Sequence, residues 1–405
     1  MARIAILGPA GLLALVLGNA EADVSDNVVK IGVLNDQSGP YADGGGRGSV
    51  VATGMAVEDL GEVAPGVRIE VVAADHQNKP DIGAEIAKRW IDLEGVDAIV
   101  DVPTSSVTLA VSDIVRRQDK ALLVSSGGSA RLTGDACSPN TVHWTYDTWA
   151  LAHGTGKAMV EAGGDSWFFI TADYVFGHDL EAQTTEVVDA SGGKVLGAVR
   201  HPLNTADFSS FLQAAKASGA KVVGLANAGA DTSNAIKQAR EFGLLTSGQR
   251  LVSLLSDITT VHGLGLEAAQ GLRFVEPFYW DLNEGTRAFS ARFTARFGGR
   301  PPNQYQAGVY AAVLHYLKAV RAAETDAGAA VVAKMKELPT DDPLFGKGVI
   351  RADGRKLHPM YLFEVKSPAE STGHWDYYKL VRTIPAEEAF RPLDRGGCPL
   401  VAKSG

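Results

Sequence analysis

Residues 28–34, VVKIGVL, are followed by the polar segment NDQSGPY at residues 35–41 and by three glycines at residues 44–46. The apolar run is short and rich in β-branched residues, which predicts a buried strand. The segment rich in Gly and Ser predicts a turn that leads into a helix starting near Ser49. An early strand, a polar loop and a helix are typical of an α/β protein whose loops bind a solute.

Residues 1–22 carry the pattern of a secretory signal peptide. Arg3 precedes an apolar run from Ile4 to Leu17, and the segment ends in Ala20-Glu21-Ala22. A positive charge, an apolar core and small residues at the end are the features of a cleavable export signal. We therefore expect a mature chain that begins near Asp23 and works in the periplasm. Neither cysteine lies near the cleavage point, so we do not expect a lipid anchor there.

The composition predicts an ordered, soluble protein of two lobes. The chain has 405 residues, of which 45% are apolar and 45 are glycine, and roughly 150 residues per domain would make two or three domains. After residue 22 no apolar run approaches the roughly 20 residues that cross a bilayer. The net charge of -9, without a cluster of Lys and Arg, argues against nucleic acid as a partner.

The cysteines and histidines bear on cross-links and metals. Cys137 and Cys398 are the two cysteines of the chain, and in an exported protein they could form one disulfide that ties the tail to the body. Two buried free thiols are the alternative. Further ligands are missing near the cysteines, and the nine histidines are scattered. We therefore expect neither a metal site nor a cofactor.

Apolar runs alternate with helical periodicity along most of the chain, and the alternation restarts after residue 147. This order predicts two units, each with a parallel sheet covered by helices, and ligands beyond the C-terminal ends of the strands. Helices near 286–297 and 306–322 would return the chain to the first unit. We expect an N-terminal lobe of residues 27–146 plus 276–354 and a C-terminal lobe of residues 147–275 plus 355–405.

Four stretches occur in a characteristic order along residues 28–320. They are residues 31–40, residues 96–106, Asp173-Tyr174-Val175-Phe176-Gly177, and residues 238–244. Together they resemble the periplasmic solute-binding proteins of ABC importers, in the branched-chain amino acid binding group. The resemblance implies a type I bilobal α/β fold, with two Rossmann-like lobes joined by hinge crossovers. It also implies a binding protein rather than an enzyme, a monomer that delivers a small carboxylate to membrane permease subunits.

The resemblance places the carboxylate of the ligand at one polar site. It implies that Ser105 and the loop Ser125-Ser126-Gly127-Gly128 hold this group through hydroxyls and backbone N–H groups. Ser105 and Ser106 precede a predicted helix, whose free N–H groups and dipole attract an anion without a basic side chain. Ser105 could instead only cap this helix. Gly127 and Gly128 would let a ligand approach the backbone, or they could form an ordinary turn.

The expected partner for a ligand ammonium is missing from its place. Amino acid binders of the family carry an acidic residue after the strand that matches residues 250–254, and a gapless match puts Leu255 there. Asp257 could substitute only if the loop shifts. An ammonium buried without a partner would cost several kcal/mol. We therefore expect a ligand other than a simple α-amino acid.

Aromatic residues near the expected cleft favour a flat ligand. Each buries about 150 to 250 Å², which suits an aromatic acid such as a benzoate or a hydroxycinnamate. Residues 38–43 and 279–281 look most like the importers' binders for such acids. Packing in the lobe cores or at the hinge is the alternative for each aromatic residue, but at least one ring of residues 278–280 should face the cleft. The candidates are Tyr41, Tyr174, Phe176, Phe278, Tyr279, Trp280 and Tyr305.

Three polar residues near strand ends each have two interpretations. Asn227 and Asp231 could each bind a ring hydroxyl of the ligand or cap the following helix. For Asp231 we prefer the helix cap. Asp147, at the first crossover, could contact the ligand or hydrogen-bond the hinge.

Enzyme motifs are weak in this sequence. The glycines at 44–48 lack the spacing of a dinucleotide fingerprint, and no P-loop, zinc-protease or hydrolase signature occurs. A binder of branched-chain or other amino acids or amides in the same family is the main alternative. A secreted hydrolase is the more distant one.

Overall fold

The computed structural model describes residues 24–244 and 248–401. The predicted signal peptide, residues 1–22, lies outside the described residues. Two parallel sheets with helices packed on them form the body of the protein, which confirms the α/β prediction.

The first sheet contains five parallel strands in the order β2-β1-β3-β4-β5. The side chains of β1 are almost all buried, as expected for a strand covered on both faces. The elements of this unit are β1 (Val28–Asn35), α1 (Gly46–Leu60), β2 (Arg68–Asp75), α2 (Pro80–Glu94), β3 (Ala98–Asp101), α3 (Ser105–Arg117), β4 (Ala121–Val124) and β5 (Thr141–His143).

The second sheet contains four parallel strands in the order β7-β6-β8-β9. A π-helical turn, Ala152–Gly156, lies between its first two helices. The elements are α4 (Thr148–Leu151), α5 (Lys157–Glu161), β6 (Ser166–Ala172), α6 (Val175–Ala190), β7 (Lys194–His201), α7 (Ser209–Ala217), β8 (Val222–Ala226), α8 (Gly229–Glu241), β9 (Arg250–Ser253), α9 (Ile258–Leu264) and α10 (Leu266–Ala269).

The rest of the chain packs against both units. Helix α12 shares a hydrophobic core with β1 and β3, in which Val313 and Leu317 are fully buried. An antiparallel sheet, β10-β13-β14, was not predicted. The lobe limits given above remain a prediction. The elements are β10 (Arg273–Glu276), α11 (Glu284–Arg296), α12 (Gln304–Ala323), α13 (Gly328–Glu337), β11 (Thr340–Asp342), β12 (Gly346–Gly348), β13 (Met360–Val365), β14 (Tyr378–Ile384) and α14 (Ala386–Ala389).

Two long-range links hold the C-terminal segment in place. Cys137 and Cys398 form the predicted disulfide, so the alternative of two free thiols is wrong. Arg355 is fully buried and lies 3.5 Å from the Asp147 carboxylate. Its guanidinium also donates to the backbone carbonyl of Tyr146 at 3.2 Å. Arg355, from the C-terminal part of the chain, therefore stabilises the first crossover between the sheets.

Candidate functional site

A cavity of about 400 Å³ lies at the C-terminal ends of the two parallel sheets. The lining comes from the loops that follow β1, β3, β4, β5, β6, β8 and β9, from residues of α3, α6, α8 and α9, and from Tyr305 of α12. Loops at this edge of a parallel sheet are the usual ligand-binding positions, and the volume suits a small molecule. The lining joins residues from both sheets, so one ligand would touch both.

Ser105 and Gly128 provide hydrogen-bond donors at this cavity. Ser105 opens α3, and its Oγ accepts the Ser129 backbone N–H at 3.1 Å. Its own hydroxyl hydrogen is therefore free to be donated. Within the described residues, the backbone N–H groups of Ser105 and Gly128 have no protein acceptor. Together with the α3 dipole, these groups can receive an anion without a cationic side chain.

Gly128 lies against two aromatic rings. A Cβ at this position would stand 2.7 Å from a Phe176 ring carbon and 3.0 Å from one of Tyr146. The absence of a side chain thus brings the backbone N–H next to the rings. Gly127 differs: its Cβ would meet the Thr108 Oγ1 at 2.3 Å, so this glycine serves packing against α3 and does not line the cavity.

Five aromatic residues line the cavity: Tyr41, Tyr146, Tyr174, Phe176 and Tyr305. The Tyr146 and Tyr305 rings meet edge to face with centroids 5.8 Å apart. Burial raises the pKa of all four tyrosines, so their hydroxyls stay protonated at neutral pH. The cavity therefore has an aromatic wall that carries uncharged hydroxyl groups.

Direct contacts join the two units across the cavity. The Tyr41 and Tyr174 hydroxyls lie 2.7 Å apart, and the Ala230 N–H donates to the Pro40 carbonyl at 3.1 Å. Gly229 is held at φ 58, and a Cβ there would come 2.4 Å from the Pro40 oxygen. The units meet so closely at this point that only glycine fits.

Asp257 also lines the cavity, as does Leu255. The Asp257 carboxylate caps α9, accepting the backbone N–H groups of Thr259 at 2.8 Å and Thr260 at 2.9 Å. Asp257 therefore reaches the cavity, although the gapless match put Leu255 at the place of the acidic residue. Capping holds Asp257 at the cavity edge. The pKa of Tyr305 is raised mainly by burial, then by the neighbouring Tyr146, and further by the charge of Asp257.

Some predicted polar site residues do not line the cavity. Ser106 lies in the first turn of α3 but outside the lining. Asn227 is fully buried, accepts the Thr232 hydroxyl at 2.7 Å and contacts His201 at 3.1 Å. Asp147 caps α4 through the Ala150 N–H and pairs with Arg355, which is the hinge interpretation. The hydrogen-bonding capacity of Asn227 and Asp147 is used inside the protein.

Asp231 corrects one expectation. Its carboxylate does not cap α8 but accepts the backbone N–H groups of Asn204 at 3.1 Å and Thr205 at 2.7 Å. It therefore anchors the loop after β7 rather than its own helix.

The aromatic residues at 278–280 do not face the cavity. Phe278 lies in the core shared with α12. Tyr279 stacks on Tyr378 with centroids 4.7 Å apart and donates to the Trp375 carbonyl at 3.0 Å, and Trp280 donates to the same carbonyl at 2.9 Å. The expectation that one of these rings faces the cleft is wrong because the segment around β14 covers them.

Tyr146 lines the cavity but was not among the predicted site residues. It precedes Asp147 at the first crossover, and an aromatic residue at a crossover was the available indication. Polar residues of α8 at the rim were missed as well: they are Ser233, Asn234 and Lys237.

Among residues 24–244 and 248–401, no group of three or more His, Cys, Asp or Glu side chains is placed to hold a metal ion. In the same part of the chain, no helix combines the length and the apolar character that spanning a membrane requires.

Comparisons with known proteins agree with this architecture. A solved periplasmic binding protein from Burkholderia mallei is 48% identical, with a TM-score of 0.90, and covers 92% of this chain and 99% of its own. A solved branched-chain amino acid ABC transporter periplasmic ligand-binding protein from Burkholderia xenovorans LB400 is 37% identical, with a TM-score of 0.80 and the same coverage.

More distant similarity points the same way. The Leu/Ile/Val-binding protein homolog 6 of Brucella abortus (strain 2308) is 26% identical over 285 residues, which are 70% of this chain and 71% of that protein. The model of the family described as periplasmic binding protein matches residues 28–373. The chain therefore belongs to the periplasmic binding protein family, whose members bind solutes for ABC transporters.

Proposed function

We propose that this protein captures a small carboxylate for an ABC importer, and that the ligand is an aromatic acid of the benzoate or hydroxycinnamate type. The observation that carries the proposal is the make-up of the cavity: uncharged donors at Ser105 and Gly128 lie beside a wall of five aromatic rings. An anion bound by neutral donors and a flat ring bound by tyrosines fit one molecule with both features.

The donors would hold the carboxylate. The Ser105 hydroxyl and the Gly128 N–H each form a charge-assisted hydrogen bond, worth about 1.5–3 kcal/mol. A ring that buries about 150 Å² adds about 4 kcal/mol. The sum approaches the roughly 8 kcal/mol of a micromolar dissociation constant, so the cavity needs no cation for useful affinity.

Closure of the two lobes would retain the ligand. The Tyr41–Tyr174 and Pro40–Ala230 hydrogen bonds join the two units and require them to be together. A ligand that touches both lobes only in the closed form shifts the population toward that form. The closed protein would then present the ligand to membrane permease subunits.

An amino acid is the second candidate ligand. Asp257 at the cavity edge could pair with an ammonium group, and the similar Burkholderia xenovorans protein is described as part of a branched-chain amino acid transporter. The Asp257 carboxylate already accepts hydrogen bonds from two backbone N–H groups of its own helix. These hydrogen bonds stabilise its negative charge. This use of Asp257 in capping favours the aromatic acid.

Calorimetry separates the two candidates. The protein, unfolded and refolded to remove bound solutes, is titrated with benzoate, 4-hydroxybenzoate, 4-hydroxycinnamate, leucine and phenylalanine. We expect binding of at least one aromatic acid, a loss of more than tenfold in affinity for Ser105→Ala, and no loss for Ser106→Ala, the neighbouring serine outside the lining. Asp257→Asn should leave aromatic-acid binding intact.

Two outcomes would contradict the proposal. Binding of leucine that Asp257→Asn abolishes, without heat from any aromatic acid, would establish the amino acid instead. Chemical conversion of the added acid, seen by chromatography of the mixture, would establish an enzyme instead of a binding protein.

A further inference from the structure

A buried carboxyl group lies directly behind the anion-binding end of the cavity. Asp101 ends β3 and is fully buried. Its Oδ1 forms a short hydrogen bond with the hydroxyl of Ser126, which lines the cavity. Its Oδ2 accepts the Asn35 side-chain amide at 2.9 Å. One hydroxyl group therefore separates Asp101 from the space that a ligand would occupy.

The surroundings of Asp101 contain no compensating charge. β1 contributes Asn35 and the loop after β4 contributes Ser126, while α1 contributes the buried Ser49. The titratable neighbour is Tyr146, whose hydroxyl donates to the Ser126 carbonyl at 2.7 Å. No basic side chain in the described part of the chain pairs with Asp101. Burial raises the pKa of the Asp101 carboxyl, and the hydrogen bonds, that of Ser126 first, oppose this rise.

An ionised Asp101 conflicts with anion binding. A carboxylate can only accept, so it takes the single hydrogen of the Ser126 hydroxyl. Ser126 would then present only lone pairs to a ligand carboxylate. Two negative groups on either side of one hydroxyl also repel each other in a buried site.

We propose that Asp101 is a positioning residue that acts in its protonated form when a carboxylate binds. The acid hydrogen of Asp101 donates to the Ser126 Oγ, and the Ser126 hydrogen turns to the ligand. No covalent bond of the ligand changes. At any pH at which Asp101 is ionised in the ligand-free protein, one proton is taken up from solvent for each ligand bound. This inference rests on the proposed function, since it needs a carboxylate beside Ser105 and Ser126.

The coupling has a definite sign. Proton uptake on binding means that affinity falls as pH rises through the pKa of Asp101 in the free protein. The fall reaches about tenfold per pH unit while the complex holds the proton and the free protein does not. A carboxylate ligand and the proton thus strengthen the binding of each other.

The test is calorimetric titration with benzoate in two buffers of different ionisation enthalpy, from about pH 5 to about pH 9, the range in which buried carboxyls titrate. For the wild-type protein we expect uptake that approaches one proton at the upper end. Asp101→Asn, whose amide donates to Ser126 permanently, should abolish the uptake and keep affinity within about threefold of the wild-type value at low pH. Asp342→Asn removes a buried carboxyl outside the cavity lining and should leave the uptake unchanged.

The outcomes distinguish this inference from the proposed function. Benzoate affinity that is independent of pH, without proton uptake, overturns the role of Asp101 and leaves the ligand proposal standing. The same holds if Asp101→Asn keeps the wild-type pH slope. If that variant does not fold, Asp101→Ser decides, because a protein without this carboxyl must lose the pH slope. No binding of any aromatic acid at any pH overturns the proposed function and, with it, this inference.

Discussion

The hydrogen bond between Tyr41 and Tyr174 offers a direct measurement of lobe closure. The two hydroxyls lie 2.7 Å apart and belong to the loop after β1 and to the residue before α6. The bond therefore exists only when the two units are together. The perturbation is to replace each tyrosine by phenylalanine, singly and together, so that the rings stay while the hydroxyls leave.

The expected loss of ligand affinity depends on whether a replacement leaves the other hydroxyl without a hydrogen-bond partner. A single replacement leaves the other hydroxyl unpaired in the closed form, which costs about 1–3 kcal/mol and weakens ligand affinity by about 5- to 150-fold. The double replacement loses only the net worth of the bond, about 0.5–1.5 kcal/mol. We therefore expect the double variant to bind more tightly than the weaker of the single variants.

The assay is calorimetric titration of all four proteins with benzoate at one pH, with the radius of gyration measured by X-ray scattering with and without ligand. Tyr361→Phe is the matched control, because this half-buried tyrosine of β13 does not line the cavity. Losses that add within about 0.3–0.5 kcal/mol would refute the reasoning, since additivity means that the two hydroxyls act independently.

Three further predictions concern the site and the stability of the fold. Gly128→Ala places a Cβ 2.7 Å from the Phe176 ring and should weaken ligand binding more than tenfold in calorimetry. The control Gly54→Ala, with no atom within 4 Å of the new Cβ, should bind like the wild-type protein. Equal ligand affinities of the two variants would contradict this prediction. Arg355→Met removes the cation that pairs with the Asp147 carboxylate, which is only 2% exposed. The free energy of unfolding, measured in urea, should fall by about 3–5 kcal/mol. A loss under about 1 kcal/mol would show that the ion pair contributes little to stability. Burial raises the pKa of Asp231 from 3.8 to about 6, so its folded form holds a proton more tightly than its unfolded form. The stability it contributes is complete below pH 3.8 and is lost as pH approaches about 6; Asp231→Asn should flatten the pH dependence of unfolding over this window, and an unchanged slope would be the contrary result.

The elements of the parallel units and the positions of Ser105 and Gly128 at the cavity could be predicted because they depend on short stretches. The apolar run of β1 and the alternation after it indicate parallel strands and helices by their periods alone. Ser105 opens a helix and Gly128 follows a strand, and both positions reach the cavity edge in any parallel α/β unit. The boundaries of α11 and α12 were off by only one or two residues at each end.

The segments that only packing brings together could not be predicted. Asp257 reaches the cavity because it caps α9, and a gapless comparison does not show that local bend. Tyr279 and Trp280 are withdrawn from the cleft by Trp375 and its neighbours, almost a hundred positions further along the chain. Asp101 and Ser126 are brought into contact by adjacent strands.

The sequence by itself determined most strands and helices of the two parallel units, and that polar loops gather at one edge of each parallel sheet. These features follow from residue spacing, because the period of apolar residues selects the local backbone. Only the tertiary structure decided which aromatic rings line the cavity and which buried carboxyl lies behind it. Those choices depend on which distant segment covers each side chain, and contacts between distant segments have no local signature.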